Sequence, residues 1–311
     1  MMATASAGQL PDFDSLWDYN QPAETETKFR EILLVAEKVG DTLYIAELKT
    51  QIARTLGLQQ KFDEAHRMLD EAYGELQRER AGSGGPSPSH NRWANVEVRY
   101  LLERGRVFNS SKQKDRALPL FAEAWHLATN AGLDFFAVDA AHMLAIAAPP
   151  EHVMEWNQRA LALAEKSSEP KARRWRASLY NNIGWDYFAQ QKYDSALVMF
   201  EKAVPARIEQ EQPAETRIAK WCVAKTLRML DQVDSALAMQ QALEVEWHDS
   251  GEGPDGYVLE EIAECLQSIG KSTDAKPYFA RAFELLSTDV WLQRDEPERL
   301  KRLKELGGVS E

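Results

Sequence analysis

A short pattern recurs along the chain at a nearly constant interval. Five segments end in alanine shortly after an aspartate, and an apolar pattern of helical period follows each; they are K-F-D-E-A (61–65), Q-K-D-R-A (113–117), K-Y-D-S-A (192–196), Q-V-D-S-A (232–236) and K-S-T-D-A (271–275). An aspartate at a helix start can accept hydrogen bonds from free backbone amides and interacts favourably with the positive end of the helix dipole. We therefore expect each segment to begin a helix.

The interval between these segments is close to 40 residues. The alanines of the last three segments are 40 and 39 residues apart, and those of the second and third are 79 apart, which is two such intervals. Ala65 and Ala117 are 52 apart, and the excess contains A-G-S-G-G-P-S-P-S-H-N (81–91), which its composition predicts to be a flexible loop. A period near 40 with helical patterning predicts stacked helix pairs, an all-α solenoid.

One repeat carries the residues that indicate a family. This repeat is residues 177–205, A-S-L-Y-N-N-I-G-W-D-Y-F-A-Q-Q-K-Y-D-S-A-L-V-M-F-E-K-A-V-P, which resembles a tetratricopeptide repeat. The resemblance rests on the small residues Gly184 and Ala196. It rests also on other matching positions, namely Tyr180, Ile183, Tyr187, Tyr193, Phe200, Ala203 and Pro205. Small residues let paired helices approach, and larger ones fill the space around them. The resemblance extends in weaker copies over nearly the whole chain and implies a right-handed superhelix of six to seven helix pairs.

The repeats are longer than the usual period of about 34 residues, so they are similar to kinesin-light-chain-like arrays and to bacterial peptide-sensing regulators. On this basis we expect a disordered N-terminus over 1–12, a solenoid over 13–288 and a C-terminal capping helix over 289–311. The segment from Phe13 to Val39 is expected to be a degenerate first pair.

The tripeptide Gly270-Lys271-Ser272 resembles the end of a phosphate-binding loop. Such a loop needs a glycine five residues earlier, where this chain has Cys265, and a preceding strand, where the sequence has a helical pattern. Numbered from Gly256, Gly270 is the fifteenth residue of its repeat, where the resemblance places a turn between paired helices. Glycine accepts the positive φ that such a turn often needs, so we expect a turn and no nucleotide.

Composition excludes several classes of function. The net charge of −12 disfavours nucleic-acid binding, because an acidic surface repels phosphates. No apolar run reaches the length of about 18 residues that a membrane span needs, and the N-terminus lacks the basic and apolar regions of a secretory signal. Two cysteines, Cys222 and Cys265, form neither a disulfide framework nor a zinc cluster. We expect a cytoplasmic protein without cofactor or metal.

A second stripe of each first helix is expected to line a concave groove, as the resemblance implies. By the 3.6-residue period, positions 2, 5, 9 and 12 of a repeat form a stripe beside the core positions 4, 7, 8 and 11. In the middle four repeats this stripe holds four arginines or lysines and no carboxylate. The predicted peptide-binding residues are Arg54, Arg99, Arg106, His142, Asn181, Trp185, Phe188, Trp221, Lys225 and Arg228.

Arginines can bind carboxylates with two hydrogen bonds, and aromatic rings supply rigid apolar contacts. The stripe therefore predicts binding of a protein or peptide, acidic or through its C-terminus. The fold class and the stripe together predict a non-catalytic scaffold. Two alternatives remain: a regulatory sensor that responds to a peptide or small ligand, and an enzyme built on an α-solenoid, for which the sequence shows no paired acid and base, nucleophile or metal set.

Overall fold

The computed structural model describes residues 10–82 and 90–310, and within these ranges the chain forms helices and no strand. The helices fall into two compact units, which meet in sequence between Trp175 and Arg176. Each unit is built from consecutive helices that pack against each other in pairs, as the period of the sequence predicts. The fold is therefore an all-α solenoid.

Unit 1 opens with a 3₁₀ helix, Phe13–Leu16, and continues with α1 (Pro22–Val39), α2 (Thr42–Leu58), α3 (Phe62–Gly82), α4 (His90–Ser110), α5 (Lys114–Ala131), α6 (Asp134–Ala147), α7 (Pro150–Lys166) and the short α8 (Pro170–Arg174). The pairs are α2 with α3, α4 with α5 and α6 with α7. The second helix of a pair also packs on the first helix of the next pair, as α3 does on α4 and α5 does on α6. We call α2, α4 and α6 the first helices of unit 1.

Unit 2 contains α9 (Arg176–Ala189), α10 (Tyr193–Glu209), α11 (Pro213–Met229), α12 (Val233–Ser250), α13 (Gly256–Ser268), α14 (Ser272–Leu286), α15 (Val290–Asp295) and α16 (Pro297–Gly307). The pairs are α9 with α10, α11 with α12 and α13 with α14, and α16 packs on α14. The first helices of unit 2 are α9, α11 and α13.

The five repeated segments each begin a helix, as predicted: α3, α5, α10, α12 and α14. Their aspartates lie in the first turn, where they interact with the helix dipole. The expected capping role is wrong for α5, α10, α12 and α14, because the residue before each of these helices is glutamine or lysine and makes no side-chain cap.

The helix pairs close around a large ring on the second helix that faces a small residue of the first. Phe121 and Phe200 are fully buried, and they lie against Gly105 and Gly184 of the preceding helices. This is the packing that the tetratricopeptide-like pattern of residues 177–205 predicts.

The turn between paired helices has the same backbone form in five repeats. The fifteenth residue of each has a positive φ, at 61° for Gln60, 63° for Lys112, 58° for Gln191, 61° for Asp231 and 77° for Gly270. Gly270 therefore lies in a left-handed turn between α13 and α14, as predicted, and α13 is a helix rather than the strand of a phosphate-binding loop.

The ends of the predicted solenoid differ from expectation. In the expected disordered segment 1–12, residues 1–9 lie outside the described chain, but Leu10 packs on the core of unit 1 and the Pro11 carbonyl accepts a hydrogen bond from Tyr44 Oη at 2.7 Å. The expected flexible loop 81–91 falls mainly on residues 83–89, which also lie outside the described chain, while its ends belong to α3 and α4. The capping segment 289–311 forms two helices, α15 and α16, because Glu296 leaves the helical conformation between them.

Candidate functional site

The ten predicted binding residues divide between the two units. Arg54, Arg99, Arg106 and His142 lie on the first helices of unit 1, and the other six lie on the first helices α9 and α11 of unit 2. We therefore describe two separate surfaces: the first-helix surface of unit 1 and the first-helix surface of unit 2.

The arginines of unit 1 are bound to carboxylates of the chain itself. Arg106 donates from Nη2 to Asp139 at 2.5 and 2.6 Å and from Nη1 to Glu103 at 2.7 Å. Arg54 donates from Nη1 to Glu103 Oε2 at 3.1 Å. In the second and third repeats the stripe contains no carboxylate, but the carboxylates beside it neutralise its positive charge.

Arg99 lies on the same surface and has two acidic neighbours. It donates from Nη1 to Asp14 Oδ1 at 3.0 Å, and its Nε lies 2.9 Å from Glu47 Oε1. Burial alone lowers the pKa of Arg99, but Glu47 and Asp14 outweigh burial and raise the pKa. For the Glu47 carboxyl, burial is the largest influence and raises the pKa. Arg99 is therefore a buried guanidinium already paired with Asp14 and Glu47 and not a free cation awaiting a ligand.

Three of the partner carboxylates occupy the same place in their repeats. Glu103, Asp139 and Glu261 are each the sixth residue of a repeat, three residues before the stripe's ninth position. Arg54, Arg106 and Lys225 occupy the ninth position, and each bonds to the sixth-position carboxylate of the following repeat. This pairing could have been found by comparing each basic position with the position three before it in the next repeat.

A cavity of about 370 Å³ opens on the first-helix surface of unit 1. Aromatic side chains on several elements line it, namely Trp17, Tyr19, Phe135 and Trp175, together with the charged groups Asp14, Arg54, Arg99, Glu103, Arg106, Asp139 and Lys171. The sequence stripe includes the three arginines and Phe135, but it misses the residues of the N-terminal segment and of α8, since neither belongs to a repeat.

His142 lies near this cavity and packs on one of its walls. Its ring is 5.0 Å from the ring of Trp175, and its Nδ1 is buried without a hydrogen-bond partner among the described residues. Burial is the main reason that the pKa of His142 is lowered, and the nearby Arg106 lowers it further. The lowered pKa favours the neutral imidazole, which packs against Trp175.

The first-helix surface of unit 2 carries a row of aromatic rings. Trp185 and Phe188 of α9 have ring centroids 5.1 Å apart, Trp221 of α11 lies 6.0 Å from Trp185, and Tyr257 of α13 lies 6.0 Å from Trp221. We call these four residues the aromatic row. All four are half-buried, because each ring packs partly on its neighbour and leaves the rest of its surface open.

The rings are also part of the packing between repeats. Trp185 lies 5.3 Å from the core ring of Phe200, and Trp221 Nε1 donates a hydrogen bond to the Tyr257 carbonyl at 3.1 Å. These contacts hold the rings in fixed positions on three successive first helices. A rigid row of partly open rings can bind apolar side chains without losing much conformational entropy.

The two basic residues predicted for the binding surface of unit 2 share one buried carboxylate. Lys225 Nζ lies 2.5 Å from Glu261 Oε1, and Arg228 Nε donates to Glu261 Oε2 at 2.8 Å. Burial is the largest influence on Glu261 and raises its pKa, but the charges and hydrogen bonds of Lys225 and Arg228 together lower it. The cluster carries one excess positive charge beside the aromatic row.

Asn181 and the two cysteines of unit 2 take part in packing between its helices. Asn181 Oδ1 is 3.8 Å from Cys222 Sγ, a weak contact that joins α9 to α11. Both cysteines are buried and free, and burial raises the pKa of each thiol to about 12. They are packing residues and not nucleophiles.

An apolar cavity of about 280 Å³ adjoins the aromatic row. Ile218, Trp221, Trp247 and Tyr257 form its walls, and Ile218 is 50% exposed. Within residues 10–82 and 90–310, no cluster of three or more histidine, cysteine, aspartate or glutamate side chains is arranged to hold a metal ion. Across the same part of the chain, no helix combines the length and the apolar character needed to cross a bilayer.

Comparisons with known proteins agree with the helix pairing. A family model described as "Tetratricopeptide repeat" matches residues 176–209, which is α9 with α10. No curated protein matches the sequence. Among solved structures, a signal-transduction ATPase with a tetratricopeptide repeat sensor from Pyrococcus horikoshii is similar with a TM-score of 0.68 and 13% identity, covering 92% of this chain and 44% of that one.

Two further structures have similar folds. The apo form of RapI has a TM-score of 0.65 at 12% identity, with 94% of this chain and 80% of that chain covered. BtubC from P. vanneervenii has a TM-score of 0.56 at 14% identity, with 78% and 93% covered. At such low identity these similarities concern the fold alone.

Proposed function

Because the chain is a tetratricopeptide-repeat protein, we propose that it is a non-catalytic scaffold that binds a peptide or partner protein on the first-helix surface of unit 2. The aromatic row carries this proposal. Its rings are held rigidly by three successive first helices, yet each leaves part of its surface open. Such rings are typical anchors of interfaces, where burying them contributes most of the binding energy.

The apolar cavity beside the row supports a partner with an aliphatic or aromatic side chain. A cavity of about 280 Å³ accommodates one such side chain and is walled by Ile218, Trp221, Trp247 and Tyr257. Filling it removes apolar surface from water, which contributes about 25 cal/mol per Å² before the costs of association.

The expected preference for acidic peptides has weaker support. Lys225 and Arg228 already share Glu261, so only one excess charge faces a partner. Partly exposed charges of this kind contribute about 0–1 kcal/mol. We therefore propose that apolar contacts contribute most of the affinity and that an acidic group of the partner helps to orient it on this surface.

Selection of peptides from a random phage-displayed library on the full-length protein tests the proposal. The affinities of the selected peptides are then measured by fluorescence anisotropy for the parent and for Trp185→Ala, with helicity checked by circular dichroism. Loss of a central aromatic anchor typically costs about 2 kcal/mol or more, about 30-fold in Kd.

Trp291→Ala is the control, since Trp291 is 50% exposed and lies on α15, which is not one of the first helices. The Trp291→Ala variant should bind the selected peptides with the affinity of the parent. If no peptide is selected, or if both tryptophan variants bind like the parent, the aromatic row is not a binding surface.

A regulatory sensor is a second candidate function. The cavity of unit 1 favours it, because its volume of about 370 Å³ falls within the range of small-ligand sites, about 300–1,000 Å³. This candidate is independent of the aromatic row.

A further inference from the structure

The cavity of unit 1 combines aromatic walls with a charged floor. Trp17 and Tyr19 form one wall and are stacked on each other, with centroids 4.6 Å apart and planes 7° apart. Phe135 and Trp175 contribute to the lining from α6 and from the residue after α8. A flat ring entering this cavity would find aromatic side chains from separate elements.

The carboxylates of the floor are already used. Asp14 accepts from Arg99, while Glu103 and Asp139 accept from Arg106. Glu103 is only 4% exposed, and Arg99 8%. Moving such buried ion pairs is costly, because each partner left alone would be an uncompensated charge.

Lys171 differs from the other cations that line the cavity. It is exposed and forms no ion pair with any residue in the described part of the chain. The lining contains four cations (Arg54, Arg99, Arg106 and Lys171) against three carboxylates (Asp14, Glu103 and Asp139). Glu47 pairs with Arg99 from outside the lining and balances the fourth cation. Lys171 is therefore the lining cation that has no carboxylate partner of its own among the described residues.

A second unsatisfied donor belongs to Arg54. Its Nε is buried and has no hydrogen-bond partner among the described residues. The same guanidinium lies over the Tyr19 ring, 5.4 Å from the centroid. An acceptor that reaches this Nε would satisfy a donor that the fold leaves open.

The N-terminal segment shows which groups this surface accommodates. Asp14 places its carboxylate on Arg99, Tyr19 places its ring under Arg54, and Trp17 Nε1 donates to Gln51 Oε1 at 3.1 Å. An acidic group and aromatic rings from a segment outside the repeats are therefore already held here.

We propose that the cavity of unit 1 is a binding site for a ligand with an aromatic ring next to a single free carboxylate. The ring lies between the aromatic walls, and the carboxylate pairs with Lys171. A peptide with a C-terminal aromatic residue and a free aromatic carboxylic acid share this chemistry. This inference extends the second candidate function, the sensor, and is independent of the aromatic row.

Two pairs of probes test the proposal on the full-length protein. One pair is the peptide acetyl-Gly-Ser-Gly-Trp with a free C-terminal carboxylate and the same peptide as its amide; the other is N-acetyl-tryptophan and its amide. Binding is measured by isothermal titration calorimetry. At least one acid should bind at least tenfold more tightly than its own amide. Binding of the peptide acid alone identifies a C-terminal peptide as the source, whereas equal binding of both acids identifies a free small molecule.

Lys171→Glu should lower the affinity for the acid probe at least tenfold and change the affinity for the amide by no more than twofold. Lys301→Glu is the matched control, because it makes the same charge change at an exposed site of α16 and should have no effect. Trp185→Ala should also leave the probes unaffected, which separates this site from the aromatic row. The proposal is overturned if neither acid binds, if acid and amide bind equally, or if Lys171→Glu retains the affinity of the parent.

Discussion

Gly184 of α9 lies directly against the ring of Phe200 on α10. A Cβ atom at Gly184 would come 2.5 Å from Cε1 and 2.7 Å from Cδ1 of Phe200, closer than carbon atoms can pack. Phe200 is fully buried and cannot swing away into solvent. Residue 184 therefore has to be glycine for the two helices to keep their present separation.

We predict that Gly184→Leu strongly destabilises unit 2, by roughly 1–3 kcal/mol or more, because overpacking forces side chains and backbone to shift. Chemical denaturation followed by circular dichroism measures the change. Gly74→Ala is the control, since a Cβ there would meet nothing within 4 Å. That variant should be stabilised by about 0.5–1 kcal/mol, as alanine is the better residue inside a helix. If the Gly184→Leu variant were as stable as the parent, α9 and α10 would not be packed as described.

The turns between paired helices give a second prediction. Gln191 and Gly270 occupy the same turn position, and in both turns the next amide donates to a carbonyl five residues earlier, at 3.0 Å from Lys192 to Tyr187 and at 2.9 Å from Lys271 to Leu266. Left-handed backbone costs a non-glycine residue about 1 kcal/mol. Gly270→Gln should therefore lower the free energy of unfolding by about that amount, and Gln191→Gly should not lower it. A loss of stability in Gln191→Gly would mean that its side chain has a role beyond the turn.

The tripeptide that resembles a phosphate-binding loop yields a third prediction. Lys271 precedes α14 in a turn and forms no ion pair with the described residues. Lys271→Ala should leave the melting temperature unchanged, and millimolar ATP with magnesium should not raise the melting temperature of the parent. A rise caused by ATP that Lys271→Ala abolishes would contradict the assignment of this segment to a turn.

The turn and the helix starts were predictable from sequence because they depend on neighbours in the chain. The ion pairs join different repeats, or a repeat to the N-terminal segment, so a stripe read within one helix does not show them. Arg106 and Asp139 are 33 residues apart, and Arg99 and Asp14 are 85 apart. A stripe defined by position within one helix counts the arginines but omits the sixth-position carboxylates, which lie at its edge and reach the arginines of the preceding repeat.

The aromatic row illustrates the same difference. Trp185 and Trp221 follow from the repeat pattern, since their positions within the repeat place them outside the core stripe. Trp17 and Tyr19 do not, because they lie in a segment without the repeat. Its fold depends on contacts with α1 and α2, such as the ring packing of Trp17 on Phe29 at 5.3 Å.

The buried cluster of Glu261 predicts a dependence of stability on pH. Lys225 and Arg228 hold the pKa of Glu261 below its usual 4.5 although burial opposes this. A carboxyl with a lowered pKa in the folded protein stabilises it above its usual pKa of 4.5, and that contribution is lost as the pH falls through the lowered value. Glu261→Gln removes it at every pH.

At pH 7, Glu261→Gln should destabilise the protein by roughly 3–5 kcal/mol, because it leaves the two cations without their buried partner. The difference from the parent should shrink as the pH is lowered below the usual carboxyl pKa of 4.5, measured by denaturation at a series of pH values. Glu201→Gln, at an exposed site of α10, should change stability by no more than about 0.5 kcal/mol. A difference for Glu261→Gln that stays constant from pH 7 to pH 3 would show that its charge is not the source of the stabilisation.

The last prediction ranks the apolar and charged contributions at the aromatic row. Lys225 shares Glu261 with Arg228 and lies 5.1 Å from the centre of the Trp221 ring. The cluster carries one partly buried excess charge. Lys225→Met should therefore lower the affinity for an acidic peptide selected on this surface by about fivefold at most, or about 1 kcal/mol. Trp185→Ala should lower the affinity for the same peptide by about 30-fold. Anisotropy titrations at two salt concentrations measure both effects, with Lys301→Met as the control for a loss of one positive charge elsewhere in unit 2. If Lys225→Met costs more affinity than Trp185→Ala, and if the loss disappears at high salt, then charge and not ring burial dominates binding at this surface.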